Sequence, residues 1–332
     1  VHRDLRLCSI GHRGLHSGGT DNIGHRTIVV GIDGSPHSDA ALAWAVDEAS
    51  RRDLSLHLVS AGVHQPHGGT IAFEEAYVDA IIASEALESA EEHLAAAVAS
   101  ARASDPDLVV TIASTLERAA GVLVELSARA HSLVVGRSSY GPVMGAALGS
   151  VASQVVTHAQ CPVVVVREVS SHPAGQRGVA VAVDGSAGSE LALAHAFEQA
   201  SVRGVHLDVI HAWWTRATAG PLPDTRNDQL ADKHLLLAEV MAGWSEQYPD
   251  VEVRVSLPMG PTVTAIIDAA SAADLLVVGS RGHGGFRNLL LGSVSQGVVG
   301  HATCTVIVVR PTRGDPVSSG TLRTWREAAV AR

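Results

Sequence analysis

Residues 149–167 read GSVASQVVTHAQCPVVVVR, and residues 292–310 read GSVSQGVVGHATCTVIVVR. Twelve of these nineteen positions are identical without a gap, too many for coincidence. A second pair lies upstream of each: TIVVGIDGSPHSDAALAWAVDEA at 27–49 and GVAVAVDGSAGSELALAHAFEQA at 178–200. The chain is therefore one domain written twice, and the repeat governs every later assignment. Between the copies lies EVSSHPAGQR, a Ser/Pro/Gly-containing stretch of the kind that joins domains. The boundaries expected are a flexible leader over 1–25, a first domain over 26–167, a linker over 168–176, a second domain over 177–311 and a tail over 312–332.

Each copy alternates short β-branched runs with longer amphipathic segments. The first copy predicts strands at 27–32, 54–60, 107–112, 132–136 and 162–167, with helices at 37–51, 78–103, 118–130 and 149–158. The second predicts strands at 178–183, 205–211, 251–256, 274–278 and 305–309. Runs such as TIVVGI, LVVG and PVVVV are apolar on successive residues, which is the pattern of strands covered on both faces. Strand–helix alternation with such strands means a parallel sheet with right-handed crossovers. The expected fold is α/β: two tandem, doubly wound, five-stranded parallel-sheet domains of Rossmann-like form.

A length of 332 residues suits about two ordinary domains, each with its own core. A formal charge of −10 argues against nucleic acid as the main partner, which would favour a basic surface. Three cysteines are too few for a disulfide framework, and no apolar run approaches the ~18 residues of a membrane span. A cytoplasmic protein is the simplest expectation, with no membrane partner.

In an open parallel sheet, ligands bind beyond the carboxyl ends of the strands, near the switch in strand order. The stretch GSRGHGGFRNLLLGSVSQ at 279–296 follows such a strand. Its spacing is Gly279, two residues, Gly282, nine residues, then Gly292-Ser293. Gly279 and Gly282 allow backbone N–H groups to approach an anion, and Gly292-Ser293 opens a helix whose unpaired N–H groups favour phosphate. Arg281 and Arg287 add cationic donors, while Gly284-Gly285 have no assigned place. The copy at 136–153, GRSSYGPVMGAALGSVAS, has Ser139 where the second copy has Gly282. If that position needs a positive φ, a Cβ there costs roughly 1–2 kcal/mol.

Asp33 in VGIDGS and Asp184 in VAVDGS end the first strand of each copy. An acid there suits ribose hydroxyls or a metal held with phosphate, and Asp-Gly-Ser equally suits a turn and helix cap. Either role fits each Asp alone; the glycine loop in the same repeat favours the ligand role. A P-loop and a protein-kinase site both need a placed lysine, and the chain has a single one, Lys233. The dinucleotide GxGxxG loop is absent after either first strand. His158 with Cys161 and His301 with Cys304 make only two ligands apiece, short of a structural zinc site. No metal site and no catalytic residue are assigned. Trp213-Trp214 are read as packing residues, and Ser35 and Ser186 as helix caps.

The G-2X-G-9X-G-S/T loop, the VDGS first strand and the closing CPVVVVR together resemble the ATP-binding branch of the universal stress proteins, in the tandem form common in actinobacteria. The resemblance implies an ATP-binding regulator of stress adaptation or growth state, with Mg2+ accompanying the nucleotide. A slow ATPase or a nucleotidyl-transferring enzyme of the same fold group is the alternative. In the second copy it implies Asp184 at the ribose or phosphates, Ala212 beside the base and Val278 lining the pocket. Gly279, Gly282, Gly292, Ser293 and Val294 would cradle phosphates, with Ser295 a further hydroxyl. The matching set in the first copy is Asp33, Ala61, Val135, Gly136, Gly149, Ser150 and Val151, with Ser139 as the departure. Family members also pair domains through their last strands, which implies PVVVV against TVIVV, a regulatory protein partner and a possible homodimer.

Overall fold

The computed structural model describes residues 6–10, 15–16, 23–61, 73–137, 148–167, 177–213, 231–282 (save 232, 236, 239, 240 and 242) and 290–311. The chain forms two compact units that divide at Glu168 and Val169. Ser139, Arg287, Gly284-Gly285 and Trp214 lie outside the described residues.

In the first unit the parallel strands are β3 (Thr27–Ile32), β4 (Ser55–Ala61), β5 (Val110–Thr115), β6 (Ser132–Gly136) and β7 (Val163–Val166). Their order is β5-β4-β3-β6-β7, so the direction of winding reverses between β3 and β6. Helices α1 (Pro36–Arg52), α2 (Phe73–Ser104), α3 (Ala119–Leu126) and α4 (Ser150–His158) make the crossovers. All four residues of β7 are buried, as a strand covered on both faces requires. Strand β5 begins three residues later than its apolar run implies, because Asp105 holds a turn by accepting from the Asp107 N–H at 3.1 Å.

Two further strands, β1 (Arg6–Ile10) and β2 (Leu15–His16), fall in the segment expected as a flexible leader. Strand β1 runs antiparallel to β5, Ser9 opposite Thr111. The outer side of β5 would otherwise present a row of unpaired N–H and C=O groups, and these give a short stretch such as RLCSI a template to pair with.

The second unit repeats the order as β10-β9-β8-β11-β12, all parallel. These strands are β8 (Val179–Ala182), β9 (Leu207–Ile210), β10 (Val253–Ser256), β11 (Leu275–Gly279) and β12 (Thr305–Val309). Among the described residues its helices include α5 (Ala187–Arg203), α6 (Trp244–Gln247), α7 (Thr262–Ala269) and α8 (Ser293–His301). Helices α1 and α5 start alike: Ser35 and Ser186 accept from the N–H groups of Ser38 and Ser189 at 3.2 and 3.3 Å. They also end alike in a left-handed residue, Asp53 (φ 51°) in one and Gly204 (φ 64°) in the other. Trp213 is buried and its indole N–H donates to Leu257 O at 3.2 Å, which makes it a packing residue. Among the described residues no helix is long and apolar enough to cross a membrane.

Among the buried polar residues of the first unit is a histidine. His57 on β4 is 2% exposed, with Nδ1 2.7 Å from Thr111 Oγ1. The Thr111 hydroxyl donates to Leu56 O at 3.2 Å, so its oxygen accepts from an Nδ1–H. That leaves Nε2 as a buried acceptor without a partner. Burial lowers the imidazole from 6.5 to about 4. The unfolded chain therefore binds a proton through this interval that the folded unit refuses, and stability is lost as pH falls from 6.5 towards 4. The loss amounts to about 3 kcal/mol. Urea unfolding at pH 7 and pH 4.5 checks this: a His57→Gln variant is expected to lose distinctly less stability over the interval than the parent chain.

Candidate functional site

The first strand of each unit leaves the sheet through Asp-Gly-Ser, with Gly34 and Gly185 at φ 72° and 81°, a conformation that excludes a side chain at little cost only in glycine. The Ser35 N–H donates to Asp33 Oδ1 and the Ser186 N–H to Asp184 Oδ1, each at 3.0 Å. Both acids thus shape the turn with one carboxylate oxygen, while capping falls to the serines. Asp33 and Asp184 are exposed at the carboxyl end of the sheet.

The fourth parallel strand of each unit ends beside that turn. A Cβ on Gly279 would lie 2.6 Å from Gly188 O, and one on Gly136 would lie 2.3 Å from His37 O. Gly188 and His37 sit in the first turns of α5 and α1, so both contacts are between backbones that cannot swing aside. Gly188 also abuts the next loop residue: a Cβ on it would meet Arg281 O at 2.4 Å. The start of the loop is thereby pressed against the start of the first helix.

Gly282 follows. Its φ is not in the left-handed region, so the strain expected of a side chain at this position is not conformational. The obstacle is spatial: a Cβ would lie 2.1 Å from Asp184 Oδ2. The absence of a side chain lets the loop rest on the carboxylate that closes the first strand. A residue such as the Ser139 of the first copy, set in this geometry, would displace the acid rather than twist the backbone.

The far end of the loop returns to the same place. The Gly292 N–H donates to Ser280 O at 2.8 Å, and the Ser295 hydroxyl donates to Gly279 O at 2.6 Å. Gly292 precedes helix α8 and Gly149 precedes α4, so neither has a side-chain cap, in contrast to α1 and α5. Their first-turn N–H groups therefore face outward without the usual serine acceptor. Ser293 and Ser150 are exposed there, with Val294 and Val151 half-buried beside them. Val278 and Val135 are buried one residue before the loop, and Ala212 and Ala61 are half-buried at the ends of their second strands.

The structure thus brings Asp184, Gly279, Gly282 and Gly292 of the second copy to one rim, and puts Ser295 just beneath it. Sequence reading missed His211. It is 7% exposed, and its Nδ1–H donates to Val183 O at 2.8 Å, fastening the end of the second strand under Asp184. The first copy has Ser60 at that position, and only a pairing register would have flagged the difference. Burial also raises the Glu190 carboxyl in the first turn of α5 and lowers the Arg137 guanidinium after β6. The His-Cys pairs do not gather further ligands: His158 and His301 donate from Nδ1 to Gln154 O and Gly297 O, each at 2.9 Å. Among the described residues no three His, Cys, Asp or Glu side chains come together as a metal site.

Two doubly wound α/β units in tandem, each with an acid-tipped first strand and an uncapped helix after a loop, define the class. The universal stress protein family model matches residues 24–167 and again 177–310. A universal stress protein of Mycolicibacterium smegmatis is 36% identical over 289 residues, 86% of this chain and 97% of that one. Universal stress protein Rv2623 of Mycobacterium tuberculosis is 37% identical over 309 residues, 89% and 98% of the two chains. Among solved structures, a universal stress protein from Archaeoglobus fulgidus shares the fold with a TM-score of 0.61 at 20% identity, covering 86% of this chain and 98% of its own. The chain belongs to the universal stress protein family, as the repeated motifs imply.

The clearances define a double-mutant test. Gly282→Ala is expected to cost about 1–2 kcal/mol in denaturant unfolding, and most of that cost to vanish when Asp184 is also Ala. Gly279→Ala, facing main chain, is expected to cost about 2–3 kcal/mol whatever residue occupies 184. Gly292→Ala meets only ordinary contacts of 3.4 Å and more, and its expected effect on unfolding is within about 0.5 kcal/mol.

Proposed function

We propose that the protein is an ATP-binding regulator, holding nucleotide with Mg2+ at the carboxyl edge of each unit, and that it works through occupancy rather than turnover. The observation that carries this reading is the contact of Gly282 with the Asp184 carboxylate. It joins the acid suited to a ribose or a metal-bound phosphate to the loop suited to the phosphates, beside a helix start with uncapped N–H groups. Gly279, Ser293 and Val294 belong to the phosphate side of this site, Ala212 to the base side and Val278 to the pocket wall; Asp33, Ala61, Val135, Gly136, Gly149, Ser150 and Val151 serve the first site.

The second site is the tighter in this reading. Glycine at 282 lets the loop close on its acid, whereas the first copy has Ser139 at the matching position of its sequence. A displacement worth ~1.4 kcal/mol lowers affinity about tenfold. As a regulator, the protein must bind ATP better in one of its states than in another.

Nucleotide carried through purification, identified by mass and counted per chain, tests the core of the proposal. Calorimetric titration of ATP with Mg2+ into Asp184→Asn and Asp33→Asn variants tests the asymmetry, since asparagine keeps an oxygen for the turn. Asp184→Asn is expected to abolish the tighter class of sites and Asp33→Asn the weaker; equal effects would count against two unequal sites. Hydrolysis of ATP at ordinary enzymatic speed, lost in Gly292→Ala, would replace regulation with catalysis.

A further inference from the structure

The neck of the second glycine loop is closed by two hydrogen bonds from the beginning of α8 to the end of β11. One is between main-chain groups, Gly292 N–H to Ser280 O at 2.8 Å. The other comes from a side chain, Ser295 Oγ to Gly279 O at 2.6 Å. Ser295 is 5% exposed, and its one hydroxyl proton is spent on a carbonyl inside the protein. A phosphate in the loop would need that proton as a donor, so Ser295 is not placed to act as a ligand.

We infer that Ser295 is a positioning residue of the second site, which clamps the end of β11 to the start of α8 so that the N–H groups flanking the loop are set before a nucleotide arrives. This rests on the reading of the loop as a nucleotide site. The clamp spans the point where it has most effect. Gly279 is held on one side by the backbone of Gly188, and its carbonyl on the other by Ser295. Ser280 is in turn held by its N–H on Val309 O at 2.6 Å. The Gly279 carbonyl and both main-chain groups of Ser280 are thereby tied, and less ordering remains to be done when an anion binds.

The first copy lacks the clamp for a chemical reason. Its matching residue in GSVA is Ala152, 2% exposed and without a hydroxyl. Gly136, which matches Gly279, is pressed on His37 in the same way, so the strand end is in place but the helix start is not tied to it by this bond. This is a second difference between the copies, independent of Ser139, and it acts in the same direction.

The test uses the full chain and two readouts, ATP titration and amide hydrogen exchange without ligand. Ser295→Ala is expected to weaken ATP at the second site about tenfold and to speed exchange of the Gly292 N–H. Ser295→Thr, which keeps the hydroxyl, is expected to restore both. Ala152→Ser is expected to tighten the first site, a gain that loss of folding cannot imitate. Parental ATP affinity and parental Gly292 exchange in Ser295→Ala would overturn the inference, as would a folded Ser295→Thr that behaves like alanine. If the parent chain binds no ATP, the nucleotide reading falls, and the exchange data still decide whether Ser295 clamps the neck.

Discussion

Everything at the carboxyl edge of this sheet depends on how closely the fourth parallel strand approaches the first helix. Gly279 lies on the backbone of Gly188 and Gly136 on that of His37, at separations that leave no room for a methyl group. The approach sets the loop after the strand against the turn after the first strand. From it follow the contact of Gly282 with Asp184, the return of Gly292 to Ser280, and the reach of Ser295 to Gly279. Move the strand end away by the width of one side chain and the acid, the loop and the helix start no longer share a rim.

The two units satisfy this constraint in the same way and differ around it. The turns, caps and strand orders match, down to a left-handed residue closing α1 and α5. Among the described residues the differences fall just beneath the rim, Ser60 against His211 and Ala152 against Ser295, and the sequence sets Ser139 against Gly282.

Much of the fold was legible because its signals are local. TIVVGI and PVVVV announce strands covered on both faces, and SPHSDAALAWAV carries its own cap, its proline at the helix start and its apolar spacing. The glycine positions were legible too, although the reason for one of them was not. Gly282 invited an explanation from backbone conformation, and its actual neighbour is a carboxylate nearly a hundred residues earlier in the chain. The late start of β5 escaped for a local reason, since Leu108-Val109 are apolar but follow a turn held by Asp105. Pairing of Arg6–Ile10 with β5 escaped because an edge offers its hydrogen bonds to any short stretch, which leaves little trace in composition.

By itself the amino-acid order determined that there are two α/β units, where each parallel strand begins to within three residues, and which glycines and acids stand at the strand ends. These are consequences of periodicity and turn chemistry, which act over a few residues. Tertiary structure decided which of those groups meet, that Ser295 spends its proton on Gly279, and that His57 is held neutral beneath the helices. Such facts depend on distances between segments far apart in the chain, and those distances are set only when strands pair in register and helices settle on them.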